Sequence, residues 1–488
     1  IGFIGTVALL ILIGVLSGHN TKDAQQFASG GHASAWLVCG TLMGTLVGGQ
    51  STIGTAQMAY SFGLSAWWFT IGCALGCLTL TFGFADPLRR TGCATLSDII
   101  GKQYGKQAAT LGSLLSLIGV FISIISQVMA AAALLSALLE IPIWIASIAS
   151  GMLIIICVFF GGIRGAGLGG LLKTALLYLS IIIVATIIFY SSHGLDSLYQ
   201  QMHHTITLPA LSAINGLPEA TEIHHVYLNP FSRGVLKTLG GCFSMILGDI
   251  TTQSYAQAIW SARNHHVARR GALVACLLTP LIGGACTLVG FHMRAHCITA
   301  SEAAQLASAG CDIPAGLFLI ENSTEVFPQF ILNYCPPLIG GIMLGTLLLT
   351  VIGSGSGLTL GAATLIAHNV MPSPKNERKT KSIPPKEKIQ IQTFIVLISM
   401  AAVATALLIG DVLINDLGFL ALGLRATAIL IPLCFALFLP KAISPHQAIV
   451  SMVSGTLFMI IAAVISLPAD PLFWGLGAAL TSIIITRR

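Results

Sequence analysis

Apolar runs of about 18 residues or more recur along the whole chain, set apart by short polar stretches, which is the pattern of helices long enough to cross a bilayer. Thirteen are predicted. An entry helix covers about 1–18, and twelve more follow as helices 1 to 12: about 34–61, 65–88, 108–139, 142–161, 168–191, 234–261, 268–291, 336–370, 388–410, 417–439, 446–467 and 470–486. The run 1–16 has no basic flank before it and no clear small-residue cleavage site after it, so it reads as a span rather than a leader. The outer loops 192–230 and 292–334 have room for short helices of their own, and 372–388 is the main hydrophilic linker.

Charge along the loops tests this count. Alternate loops carry Arg89, Arg90, Lys102 and Lys106; Arg164; Arg263, Arg269 and Arg270; Lys375, Arg378, Lys379, Lys381, Lys386 and Lys388; Lys441; and Arg487 with Arg488. The loops between them carry Glu140; Asp196, Glu219 and Glu222; Glu302, Asp312, Glu321 and Glu325; Asp411 and Asp416. Lysine and arginine gather on the cytoplasmic side of membrane proteins. The alternation therefore predicts an N-terminus outside, a C-terminus inside and an odd number of spans, in an integral protein of the plasma (inner) membrane.

Composition agrees. The chain has 488 residues, 55% hydrophobic and 8% charged, whereas soluble proteins carry about a quarter charged residues. The net charge of +6 would suit nucleic acid, but the basic residues sit between spans, so lipid and a small solute are the expected partners and nucleic acid is not. Most of the twelve cysteines fall inside apolar runs as small buried hydrophobes. Cys297 and Cys311 differ, because both lie in a polar outer loop. A disulfide there would constrain the unfolded chain by roughly 3 kcal/mol in an oxidising compartment, and the sequence leaves that pairing open, as it does the oligomeric state.

Two spans are poor helices at their middles. Helix 1 carries Gly48-Gly49-Gln50-Ser51, and helix 6 carries Leu247-Gly-Asp-Ile-Thr-Thr-Gln253; helix 8 adds Gly353-Ser-Gly-Ser-Gly357. Small residues also serve close helix packing. The alternative is that helices 1 and 6 unwind at mid-membrane, where freed carbonyls and half-helix ends hold ions and polar solute groups. Asp249 favours the second reading, since a carboxylate inside a span is costly unless it meets water, a partner or a ligand. A permanent pair with Arg425 or Lys237 is the competing structural role.

The motifs bearing on this run in order: Phe27-Ala-Ser-Gly-Gly-His, Gly48-Gly-Gln-Ser-Thr-Ile-Gly-Thr-Ala-Gln-Met-Ala-Tyr60, Gly63-Leu-Ser-Ala-Trp, Pro87-Leu-Arg-Arg, Tyr104-Gly-Lys, Met129-Ala-Ala-Ala, Leu247-Gly-Asp-Ile, Gln253-Ser-Tyr-Ala-Gln257 and Ala367-His-Asn369. Over nearly its whole length the sequence resembles the sodium:solute symporter family, nearest to its choline-transporter-like branch. The resemblance implies an all-α polytopic fold of the leucine-transporter type. Helices 1–5 (34–191) and 6–10 (234–439) form inverted five-helix repeats, joined by an outer loop at 192–233 and trailed by helices 11 and 12 at 446–486. It also implies secondary active transport by alternating access, and no enzyme.

Carried over residue by residue, the family's sodium site falls on the carbonyls of Gly44, Val47 and Thr350 and on two hydroxyl positions, Gly353 and Ser354. Only Ser354 keeps its hydroxyl. A family aspartate on helix 5 falls on Gly170, and a usual glutamine one turn later falls on Lys173. Coupling to Na⁺ is thus the implied arrangement and H⁺ the alternative. Lys173 either snorkels to the inner interface or supplies the charge that a bound cation would bring, which makes it the candidate coupling residue. The aromatic cage expected for choline is missing, since the matching positions are Leu46, Met129 and Thr252. The polar set that remains for a hydrogen-bonding solute is Gln50, Ser51, Gln127, Asp249, Thr251, Thr252 and Gln253.

Other chemistry finds little support. There is no phosphate-binding G-x-x-x-x-G-K-[ST] motif for an ATP-driven pump. The glycine-rich run 161–170 follows no strand and suits a tight turn rather than a dinucleotide site. The histidine pairs 203–204, 224–225 and 265–266 read as solvated loop residues. The rival from another class is a solute-sensing membrane module without net transport. A kinase module after helix 12, or the absence of solute flux, would mark it; a passive channel would need no ion gradient.

Overall fold

The computed structural model describes residues 33–93, 95–161, 166–194, 196–198, 200–201, 227–308, 316–370, 385–410 and 412–486. The side chains at 160–172, 367–370 and 385–388 are outside that description, as are the expected entry helix and Cys311. Cys297 is buried on a short outer strand.

Each of the twelve expected spans after the entry helix coincides with helix in the structure. Helix 1 is two pieces, Ala35–Leu46 and Thr55–Phe62. Helix 2 follows as Trp68–Thr79, a wide turn, and Ala85–Arg90. Helices 3, 4 and 5 are Lys106–Leu139, Ile143–Gly161 and Ala166–Ser191. Helix 6 is again two pieces, Val235–Thr251 and Gln253–Ser261. Helices 7 to 12 are His265–His296, Pro337–Val370, Pro385–Ile409, Ile414–Phe438, Pro445–Val464 and Pro471–Ile485. Among the described residues, eight helical stretches are long and apolar enough to cross a membrane. Large apolar side chains lie bare on their outer faces, among them Leu408, Leu277, Trp36 and Phe82. In water such a surface would aggregate; in lipid it is the solvated face.

Local sequence sets the boundaries. The Ser34 side chain caps helix 1 by accepting from the Leu37 N–H at 3.3 Å, and Gly63, at φ +63°, ends its second half where an added Cβ would run into the Tyr227 backbone. A short helix, Leu96–Tyr104, joins spans 2 and 3 and opens with a reciprocal Thr95–Asp98 capping box. Pro280 sits inside helix 7, and its carbonyl accepts from Trp67 Nε1 at 2.8 Å.

Span ends that the charge alternation assigned to one face do meet. On the face assigned outside, Arg233 pairs with Asp416 at 2.6 Å. On the other face, Arg269 pairs with Asp86 at 2.9 Å. Arg89 donates there to the carbonyls of Ile259 and Ala262, at 2.9 and 2.7 Å, and Ala33 bridges to Ala262. The Ala33 end of helix 1 and the Ala262 end of helix 6 are thus tied together. The outer loop 297–334 holds two three-residue parallel strands, Cys297–Thr299 and Phe318–Ile320, and two short helices, Ala300–Ser308 and Val326–Tyr334.

Candidate functional site

Both breaks fall where glycine, serine and threonine crowd the sequence. In helix 1 the α-helix ends at Leu46, Val47 is extended (φ −90°, ψ 106°), and a wide turn, Gln50–Gly54, leads into the second half. In helix 6, Thr252 is extended (φ −85°, ψ 118°) between the two halves. Interrupting a helix frees amide and carbonyl groups that need new partners in a dry interior.

At the helix 1 break most of these partners come from the residues singled out above. The Gly48 N–H donates to Ser51 Oγ at 3.0 Å instead of to the helix. The Gly49 N–H donates to Gln127 Oε1 of helix 3 at 2.9 Å. Gln50 Nε2 donates to Ser126 Oγ at 2.6 Å. The close approach of helix 3 requires glycine, because a Cβ at Gly49 would lie 2.3 Å from the Ala130 methyl.

The expected sodium ligands lie on the other flank of this break, and Lys173 is there. Its ammonium donates to the Gly44 carbonyl at 3.0 Å, the Thr350 carbonyl at 3.0 Å and Ser354 Oγ at 3.2 Å. Ser354 Oγ in turn donates to the Val47 carbonyl at 3.2 Å. Lysine does not snorkel to the interface; it turns inward, between helices 1 and 8. Gly353 has open space where its side chain would be.

Around the helix 6 break the threonines serve the backbone. Thr251 Oγ1 donates to the Gly248 carbonyl at 3.0 Å, and Thr252 Oγ1 donates to the same oxygen at 2.7 Å. Gln253 Oε1 accepts from the Leu96 N–H at 2.9 Å. Asp249 is 1% exposed, yet neither carboxylate oxygen has a hydrogen-bond partner. It packs against helix 2 at Gly76, where a Cβ would come within 2.4 Å of Oδ2. Neither of its expected structural partners reaches it: among the described residues the ion pairs are Arg233–Asp416, Arg269–Asp86 and Arg294–Glu302. The buried Arg425 guanidinium donates instead to the Gly119 carbonyl and the hydroxyls of Ser123 and Thr252.

Several residues that hold these halves in place were not legible in the sequence. Gln57 ties the outer half of helix 1 to the start of helix 10, accepting from the Ile414 N–H at 3.0 Å, and to the outer loop through Ser323 at 3.0 Å. Arg294 and Glu302 form a 2.6 Å pair, with Arg294 stacked over the Tyr60 ring and the Tyr60 hydroxyl donating to Glu302 at 2.8 Å. Glu302 lies in the outer loop. Burial works against its charge, but Arg294 and the hydrogen bonds from Thr299 and Tyr60 outweigh it and hold its carboxyl below the usual range. A cavity of about 240 Å³ beside helices 3, 8 and 9 is lined by Leu114, Leu117, Ile118, Phe121, Ala362 and Ile398, and its walls offer hydrocarbon contact only.

The model of the sodium:solute symporter family matches residues 27–455. The chain belongs to that family. It is a secondary active transporter and an integral membrane protein. A relative, the uncharacterized symporter YwcA of Bacillus subtilis (strain 168), is 24% identical over 381 residues, covering 75% of this chain and 67% of YwcA. A Na⁺-coupled sialic acid symporter, solved substrate-bound and outward-open, superposes with a TM-score of 0.71 at 16% identity, over 99% of this chain and 96% of that one. Mhp1, a nucleobase-cation-symport-1 family transporter in a closed conformation, gives 0.52 at 14% identity, over 93% and 92%. The transporter shares their fold, the leucine-transporter type.

Proposed function

We propose that this symporter-family protein carries a small polar organic solute across the plasma (inner) membrane by alternating access, coupled to Na⁺ or H⁺. The two inverted repeats, 34–191 and 234–439, would move against each other around the breaks in helices 1 and 6. The N-terminus lies outside and the C-terminus inside, as the loop charges favour.

The observation that carries this reading is Asp249. A buried carboxylate with no donor is expensive, and it lies three residues before the helix 6 break. A solute with an amino or other donor group would supply what it lacks. Gln50, Ser51, Gln127, Thr251, Thr252 and Gln253 surround the two breaks with further polar groups. They have protein partners now, and exchanging those bonds for solute bonds would accompany loading.

Solutes that raise the thermal stability of the purified protein, screened with and without Na⁺ and at two pH values, identify the cargo by mass action. The best one should then accumulate in proteoliposomes only under an ion gradient. Uptake without any gradient would overturn the transport reading, and a stabilising solute that binds Asp249→Asn as tightly as wild type would remove Asp249 from the site.

A further inference from the structure

We infer that Lys173 is the resident cation of the notch between helices 1 and 8, so that its ammonium, and not a bound Na⁺, neutralises the oxygens gathered there. The inference narrows the coupling ion of the carrier proposed above, and rests on that reading for its meaning but not for its test.

Three observations meet. The first is the count of donors and acceptors. A lysine ammonium has three N–H groups, and three oxygens receive them: Gly44 O, Thr350 O and Ser354 Oγ, all at 3.0–3.2 Å. The second is the origin of those oxygens. The Gly44 carbonyl is exposed to a new partner because the Gly48 N–H, which would bond it in an unbroken helix, bonds Ser51 instead. The Thr350 oxygen that Lys173 meets is a main-chain carbonyl of helix 8, whereas the Thr350 hydroxyl donates along that helix to the Thr346 carbonyl at 2.7 Å. The third is the absence of any anion in the arrangement. The three partners are neutral, and among the described residues no carboxylate lies within ion-pair distance of Lys173. One positive charge on neutral dipoles is how a monovalent cation is held by a broken helix.

A free cation drawing on the same oxygens would have to sit where Nζ sits, and would meet a like charge. Lysine is therefore not a helper to a bound ion here; it excludes one. It is tethered to helix 5 and hydrogen-bonds helices 1 and 8 together, so the link a dissociable ion would make and break is supplied covalently by the chain.

The test needs no solute. Purified full-length protein is melted in NaCl and in KCl at equal ionic strength and pH, and equilibrium ²²Na⁺ binding is measured by scintillation proximity. Wild type should melt at the same temperature in both salts and show no saturable ²²Na⁺ binding. Lys173→Gln should gain binding and a Na⁺-selective rise of about 3 °C or more, as for a ligand at many times its Kd. Lys173→Gln combined with Gly353→Ser adds a hydroxyl where a Cβ meets nothing within 4 Å, and should bind Na⁺ as well or better. Saturable ²²Na⁺ binding by wild type that Lys173→Gln leaves unchanged would overturn the inference. So would monodisperse Lys173→Gln and Lys173→Gln/Gly353→Ser proteins that both ignore Na⁺. If the lysine-free proteins fail to fold, saturable ²²Na⁺ binding by wild type overturns the inference and its absence upholds it. Failure to find a solute moves none of these readings.

Discussion

The break in helix 1 and the break in helix 6 interrupt the two repeats at like places, but their polar groups are settled differently. In helix 1 the Gly48 amide has Ser51, the Gly49 amide has Gln127, the Gly44 carbonyl has Lys173 and the Val47 carbonyl has Ser354. In helix 6 the backbone is served by Thr251 and Thr252, while the Asp249 carboxylate is buried with no donor and the nearest guanidinium, Arg425, is spent on Gly119 and Ser123. A satisfied polar network stiffens a structure, and a carboxyl group without a hydrogen-bond partner in the same dry interior is held at a cost. The first break is a joint closed by the protein's own groups, and the second leaves one carboxyl group without a partner.

The largest effect belongs to a buried charge that is already paired. Glu302→Ala leaves Arg294 uncompensated and should cost about 3–5 kcal/mol of stability, seen as a large fall in melting temperature. Because Glu302 titrates below the ordinary carboxylate range, its stabilisation is complete above the unfolded value and is lost as pH falls through the depressed folded one. The wild type's advantage over Glu302→Ala should therefore shrink below about pH 4.5.

Asp249→Asn should behave in the opposite way. No ion pair is broken, so the melting temperature should hold or rise, while affinity for the stabilising solute falls about 10- to 100-fold, the worth of a charge-assisted contact. A melting temperature that collapses as Glu302→Ala does would erase the distinction between the paired Glu302 and the unpartnered Asp249.

Gln127→Ala tests the closed joint. It strands the Gly49 amide and should cost about 1–3 kcal/mol, with the protein still folded. Thermal unfolding at the wild-type temperature would mean that water replaces the glutamine and that the first break is looser than described. The smallest effect is expected of Gly76→Ala. Its methyl would intrude on the buried Asp249 side chain, costing about 1 kcal/mol of packing, and should shift the carboxyl group, lowering solute affinity by about fivefold, roughly 1 kcal/mol. An affinity that does not move would place the Asp249 carboxylate outside the solute's reach.

Much of this was legible in the sequence, and the reasons are local. Gly48-Gly49-Gln50-Ser51 and Thr251-Thr252 are weak helix formers in the middle of apolar runs, and the breaks fall on them at Val47–Gly49 and Thr252. Span existence follows from hydropathy, and successive spans alternate faces, so the span ends carrying Arg233 and Asp416, and those carrying Arg269 and Asp86, meet. Ser126, Gln57 and the Arg294–Glu302–Tyr60 cluster carried no such signal. A serine or glutamine in a span looks the same whether it faces lipid, a neighbour or a break, and Gln57 meets Ile414 across more than three hundred residues of chain.

Periodicity, hydropathy and helix-breaking residues act over a few turns, so the chain alone determined that it lives in a bilayer, where its apolar helices fall and where two of them give way. Which oxygens converge on one ammonium, and which carboxylate is left without a donor, depends on the directions of side chains from helices far apart in sequence. Lys173 illustrates the division. Its position in helix 5 allowed either the lipid interface or the protein interior, and only the packing of helices 1 and 8 around it turned the charge inward.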